Sequence, residues 1–242
     1  MPTNNEFLED IAREVAGTGV DEINIKFGRN SAIGTTEIVV QDLGGSFADV
    51  TTADVVSVVS DSANDVDAGT GAWTISVTGL DANWDAQTEV LTLAGLTPVV
   101  STNTFIRVFR MQIETAGTLK KADGNITASI DGTDVAQIQD GDNQTLMANY
   151  TVPRGKKLEL LRGWYSLGSG KSAVIRFKAW DRTTANSVPK TKFAVDGYQN
   201  AVEFTFPAGV IYQEKTDVFV TAIASGVGTP VSCAFLYNLT DA

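Results

Sequence analysis

Short runs of alternating apolar and polar residues, each stopped by turn chemistry, constrain this chain more than any other feature of it. They fall at residues 55–59, 73–77, 89–93, 105–113, 158–161, 174–180, 202–206, 218–222 and 231–237. A period of two puts alternate side chains on opposite faces of a pleated strand, so each run has one face to bury. Between the runs lie GLDAN at 79–83, DGN at 123–125, DGT at 131–133, GDN at 141–143 and GSG at 168–170. These are residues that tolerate positive φ or cap their own backbone. Many short strands with a turn every ten residues or so predict an all-β chain built of sandwiches or barrels.

One segment departs from that period. Phe7, Leu8, Ile11 and Val15 recur at helical spacing behind Asn4 and Asn5, with Glu6, Glu9 and Asp10 in the first turns and Gly17 as a stop. A helix of about three turns is marginal alone and needs a surface to dock on. It either caps its own domain or, with the following INIKFGRN at 23–30, forms an arm that docks on a partner. The expected organisation is therefore a short N-terminal helix and arm over residues 1–30, a β-sandwich over 31–140, and a jelly-roll-like β domain over 141–242. The boundary is placed at 131–143, where DGTDVAQIQDGDN interrupts the apolar alternation.

Composition narrows the chemistry. With no histidine and a single cysteine, Cys233, the 242-residue chain can build no Ser/His/Asp triad, no Cys/His dyad, no His-ligated zinc and no internal disulfide. Cys233 sits in the strand-like run 231–237 and reads as a small buried hydrophobe. Gly170-Lys171-Ser172 ends like a phosphate-binding loop, but the first glycine of that motif would fall at Tyr165 and the next residues alternate as a strand. The pairs Asp65/Asp67 and Asp140/Asp142 do not continue into a twelve-residue calcium loop. No catalytic, cofactor-binding or metal-ligating set is expected, and a polysaccharide depolymerase using two carboxylates is the least favoured of three functional readings.

The net charge is −11 and lies wholly in the first half. Residues 1–118 carry 5 basic and 17 acidic side chains, net −12; residues 119–242 carry 13 and 12, net +1. That balance argues against a nucleic-acid partner, which would need clustered Lys and Arg. No apolar stretch approaches the roughly 18 residues of a membrane span, and no basic n-region precedes an apolar run, so neither a membrane partner nor a cleaved signal is expected. Trp84, in the turn-rich LDANWDA, is the aromatic expected to be exposed and able to stack on a sugar; Trp73, Trp164 and Trp180 read as core.

The stretch Ser62 to Met111 reads SANDVDAGTGAWTISVTGLDANWDAQTEVLTLAGLTPVVSTNTFIRVFRM. It resembles a group of tailed-bacteriophage virion proteins that carry SAND-x-x-AGTGA, then GLD, a Glu before LTL-x-G, and TN-x-F-I-R-V. NEFLEDIARE with KFGRN resembles that group's N-terminal arm, and YTVPRGKKLEL the start of its terminal jelly roll. The linker expected after KFGRN is short here, running through residues 34–37. The resemblance implies a non-enzymatic virion structural protein, assembled in the host cytoplasm and carried on the particle as an outer-capsid decoration or cement protein. Phe7, Leu8, Ile11, Phe27 and Arg29 would then anchor the arm to the major capsid protein or another virion protein. A homo-oligomer is expected, a trimer suiting capsid threefold sites. The alternative is a tail- or neck-attached fibre that recognises host glycans. Without the family, Gly69, Gly71, Gly79, Asp81 and Asn83 read as scaffold residues, and Arg107 and Arg110 as strand residues on opposite faces and candidates for intersubunit contact, one of them paired with an acid at an intersubunit or intersheet contact.

Overall fold

The structure, a computed structural model, describes residues 22–198 and 201–242. Among them are sixteen strands and no helix. The helical segment expected before Gly17, with Phe7, Leu8 and Ile11, lies outside the described residues.

Four antiparallel sheets pair face to face around two apolar cores. The first core lies between the sheet β6-β3-β8-β9 and the sheet β5-β4-β7. These strands are β3 (Asp54–Ser60), β4 (Ala72–Leu80), β5 (Ala86–Thr92), β6 (Val99–Phe105), β7 (Arg107–Ala116), β8 (Ile126–Ile130) and β9 (Thr133–Ile138). Alternation does the work here. In β3 Val56 and Val58 point inward against Ile75 and Val77 of β4 and Ile126 and Ile130 of β8, all fully buried. The DGT predicted as part of a domain boundary is instead the tight hairpin turn joining β8 to β9, with Asp131 at φ 46° and Gly132 at φ 71°. Two consecutive positive φ values are what a two-residue hairpin needs to match strand twist.

The second core lies between the sheet β1-β16-β11-β14 and the sheet β10-β15-β12-β13, with a short β2 added beside β15. Its strands are β1 (Glu22–Ile33), β2 (Ile38–Val39), β10 (Asn149–Thr151), β11 (Lys156–Leu167), β12 (Ser172–Asp181), β13 (Lys190–Tyr198), β14 (Ala201–Tyr212), β15 (Thr216–Ala224) and β16 (Thr229–Asp241). The expected boundary at 30 is redrawn by strand pairing. Residues 23–30, placed by sequence in an arm, run along β16 from Ile23↔Asn238 to Asn30↔Val231. Ile33 and Val40 are buried in the second core. The first sandwich is thus inserted between β2 and β10 of the second, and the two connecting passages run side by side, with Gln41 bridged to Met147 and Asp42 N–H donating to Leu146 O at 3.1 Å.

β15 shows what this arrangement buries. Val218, Val220, Ala222 and Ala224 face the second core, as period two requires. Its other face is covered too. Phe47 stacks on Phe219 at 4.6 Å, Glu37 accepts from Thr221 Oγ1 at 2.6 Å, and Asp217 is wholly buried.

Candidate functional site

Asp217 is the centre of the joint between the two sandwiches. Its Oδ1 accepts from Arg107 Nε at 2.9 Å and from Thr151 Oγ1 at 2.6 Å; its Oδ2 accepts from Arg107 Nη2 at 3.0 Å and from Arg182 Nε at 2.5 Å. Arg107, 5% exposed, also donates through Nη1 to the carbonyls of Val50 and Ile106. Arg182 continues outward to Asp49 at 2.8 Å. A carboxylate taken out of water needs donors on both oxygens, and here they come from three separate segments, at Arg107, Thr151 and Arg182. Aromatic faces close the joint. The Arg107 guanidinium lies 5.1 Å from the Trp84 ring and 5.7 Å from the Phe47 ring, and that of Arg182 lies 3.3 Å from the Trp180 ring.

This places three residues singled out by sequence. Arg107 is paired with an acid at an intersheet contact, inside this chain rather than between subunits. Trp84 is half-buried and packed against the second core instead of standing out in solvent. It holds φ 68°, and its backbone carbonyl accepts from Arg154 N–H at 2.8 Å. The loop that positions it is built on Asp81, whose Oδ1 accepts from Asn83 N–H at 2.8 Å and Asp85 N–H at 2.9 Å. Arg110 also reaches the other sandwich, with its guanidinium 5.4 Å from the ring of Phe27 in β1 and Nη1 donating to Gln144 at 3.1 Å.

The SAND…AGTGA segment folds around Asp65, which is 0% exposed. Its Oδ1 accepts from the N–H groups of Ala72 and Asp123 at 2.7 and 3.0 Å. Its Oδ2 accepts from Ser60 Oγ at 2.6 Å and Gly124 N–H at 3.1 Å. A Cβ at position 71 would stand 2.1 Å from Asp65 Oδ1, and one at position 79 would stand 1.9 Å from the Arg107 carbonyl. Both glycines are required by close approach. Ser62 Oγ and Asn64 Nδ2 donate to Asp123 Oδ2 at 2.7 and 2.8 Å, and these bonds hold the Asp123 carboxyl below the usual carboxylate range.

Beneath the joint lies a second charged contact. Lys26 is 3% exposed, donates to the Phe109 carbonyl and lies 5.5 Å from that residue's ring. Burial, reinforced by the neighbouring Arg110 charge, lowers its pKa well below that of a free lysine. Lys26 carried no sequence signal beyond its place in KFGRN.

Open surfaces remain on the second sandwich. A groove of about 500 Å³ at the end of the second sandwich is lined by Asp181, Asn186, Lys190, Lys192, Tyr212 and Gln213, among others. Burial pushes the Tyr212 hydroxyl up to about 12. The outer face of the β1-β16-β11-β14 sheet carries Ile25, Phe27 and Arg29 beside Trp164, with a depression of about 300 Å³. Phe27 and Arg29, expected on an arm, are therefore fixed on a sheet face. Among the described residues no group of three or more His, Cys, Asp or Glu could hold a metal ion. Cys233 is buried and its thiol is pushed up out of the reactive range.

No family model matches this chain, and no curated protein matches it. Among solved structures it aligns with the PBSX exported protein XepA at a TM-score of 0.19 and 8% identity, over 90% of this chain and 86% of that one. It aligns with the infectious bursal disease virus Gx strain structure at 0.17 and 8%, over 92% and 81%. Likenesses at this level carry no argument about fold or function.

Proposed function

We propose that the chain is a non-enzymatic structural component of a tailed-bacteriophage virion, an outer-capsid decoration or cement protein that binds the major capsid protein. One observation carries this reading. The residues of the phage-type motif are spent on rigidity: Asp65 and Gly71 lock a loop, Asp81 shapes another, and Arg107 ties the two sandwiches together. A protein that acts by burying surface needs such a body and no open reaction cleft.

The second sandwich supports the reading further. We read the orders β1-β16-β11-β14 and β10-β15-β12-β13 as an eight-stranded double Greek key, a jelly-roll arrangement with the first sandwich inserted between β2 and β10. Jelly rolls serve capsids and lectins alike, so the order supports a class of use and not one use. The N-terminal segment enters at the edge strand β1, which suits an attachment arm, and a trimer remains the assembly that fits a capsid threefold site.

A tail- or neck-attached protein that recognises host glycans is the second reading. The polar groove around Asn186, Lys190 and Gln213 at the jelly-roll end favours it. Copy number in purified particles, by gel densitometry against the major capsid protein with antibody localisation, decides between them. On the order of hundreds of copies over the head supports decoration; about a dozen at one vertex or on the tail overturns it in favour of adsorption.

A further inference from the structure

A β-bulge re-aims two lysines at the open end of the second sandwich. Along β13, Phe193, Val195 and Gly197 stand opposite Phe177, Ile175 and Ala173 of β12, so the odd positions face the core and the even ones face out. Past the bulge the parity reverses. The register slips between Phe193↔Phe177 and Thr191↔Lys178, which leaves Lys192 as the extra residue and brings Lys190 opposite Ala179 on the core face. Both lysines therefore line the groove of about 500 Å³ at this end instead of continuing the outer row. Bulges are common beside active sites because they turn a side chain out of its strand's pattern.

The walls of this groove hold polar groups with nothing to bind. The ammonium groups of Lys190 and Lys192 make no hydrogen bond or ion pair among the described residues, and Lys190 acts on Asp181 only through its field. Tyr212 is 6% exposed, with its ring 5.9 Å from that of Phe177, and its hydroxyl has no partner among the described residues either. Asp181 is already engaged: it accepts from Thr183 N–H at 2.8 Å, Thr183 Oγ1 at 2.6 Å and Thr184 Oγ1 at 3.4 Å. The loop over the groove is held in place by Trp180 Nε1, which donates to the Ser187 carbonyl at 2.9 Å, and by Ser187 Oγ, which donates to the Asp181 carbonyl. Two lysines against one aspartate give the lining a net charge of +1.

We propose that this groove binds an acidic saccharide, its carboxylate held by the Lys190 and Lys192 ammonium groups and a ring hydroxyl bonded to Tyr212. The inference rests on the glycan-binding reading of the same groove and names the class of sugar. A lining charge of +1 matches a singly charged carboxylate better than a doubly charged phosphate. Burial keeps the Tyr212 hydroxyl protonated at neutral pH, so it can donate. Asn186 and Gln213 each offer a donor and an acceptor to further hydroxyls. Val188 and Ile211, 63% and 57% exposed, give the C–H face of a sugar ring an apolar surface to lie on.

The test titrates the full chain by calorimetry with oligomers of galacturonate, glucuronate and sialate, each beside its neutral, carboxyl-reduced counterpart, and with inorganic phosphate. At least one acidic oligomer is expected to bind about tenfold or more tightly than its neutral counterpart. Lys190→Gln with Lys192→Gln is expected to abolish that preference at an unchanged melting temperature, and Tyr212→Phe to weaken binding several-fold. Equal binding of acidic and neutral forms would overturn the proposal and leave the glycan reading standing; binding of none of the oligomers would overturn both. Phosphate binding as tightly as the best acidic oligomer would show a site for simple anions and overturn the proposal. Acidic binding unmoved by the double lysine variant would overturn it as well, by placing the site elsewhere. None of these results touches copy number on the particle, so the virion reading is tested separately.

Discussion

Arg107 and Asp217, 110 residues apart in the chain, meet through two parallel hydrogen bonds of 2.9 and 3.0 Å at a point buried between the sandwiches. Removing one partner leaves the other charged and out of water, which costs about 3–5 kcal/mol. Arg107→Ala and Asp217→Asn are each expected to lower stability by that amount in urea unfolding, and Arg107→Lys to recover little, because an ammonium cannot make the paired contact. A loss under 1 kcal/mol for Arg107→Ala would show that the joint does not hold the sandwiches together.

Gly71→Ala tests the Asp65 cradle. The new methyl would sit 2.1 Å from Asp65 Oδ1, so the loop must open and the carboxylate must give up donors. The expected loss is about 2–4 kcal/mol, with Asp65→Ala similar and the double variant less than additive, since both break one network. Additive losses in a double-mutant cycle would show the two positions acting independently.

Asp42 and Asp142 lie on the two passages between the sandwiches. Burial, then the Asp142 charge, raise the Asp42 pKa to about 7, against the Leu146 N–H and Arg29, which lower it. A carboxyl with a raised native pKa favours folding below its unfolded pKa, near 4, and loses that contribution as pH rises through about 7. Stability should therefore fall between about pH 4 and 7 by about 1–2 kcal/mol from this group, discounted for its partial exposure. Asp42→Asn should flatten that slope and be the more stable protein at pH 8. Glu37 acts in the opposite sense. Desolvation works against its charge, but hydrogen bonds from Lys178 and Thr221 and the Lys178 and Arg176 charges outweigh it and hold the carboxyl below its usual value. Its contribution is present at neutral pH and lost in acid, so Glu37→Gln should narrow the acid limb. Denaturation midpoints across pH for the two variants check both signs.

Lys26→Met is expected to leave stability unchanged or raise it by about 1 kcal/mol. The ammonium is buried beside Arg110 with one carbonyl acceptor, and an apolar chain of similar volume removes the desolvation cost. A clear drop in melting temperature would mean that the bond to Phe109 outweighs that cost.

How far the sequence reached can be followed through particular strands. The runs at 55–59, 174–180 and 218–222 are strands in the structure, because alternation is a local property and any pleated partner satisfies it. The scaffold role of Gly71 and Asp81 was legible for the same reason, since the Asp65 contact and the turn capping act within a few residues; Gly79 read as scaffold too, but the Arg107 carbonyl it makes room for lies on another strand. Partners were not legible. β1 read as an arm because nothing within its twelve residues names β16, about 200 positions later, as its neighbour. The DGT hairpin read as a boundary because a turn inside a sandwich and a turn between two have the same chemistry. Arg107 announced that it needed an acid but not which one, and Trp84 looked exposed until the sandwich below it was placed. Loop-closure entropy grows only with the logarithm of separation, so distant partners cost little more than near ones. The sequence by itself determined which segments are strands, where the chain turns and which chemistries are absent from its side chains. The tertiary structure decided which strands close on one another and which charges meet, because those choices depend on burying every apolar face at once.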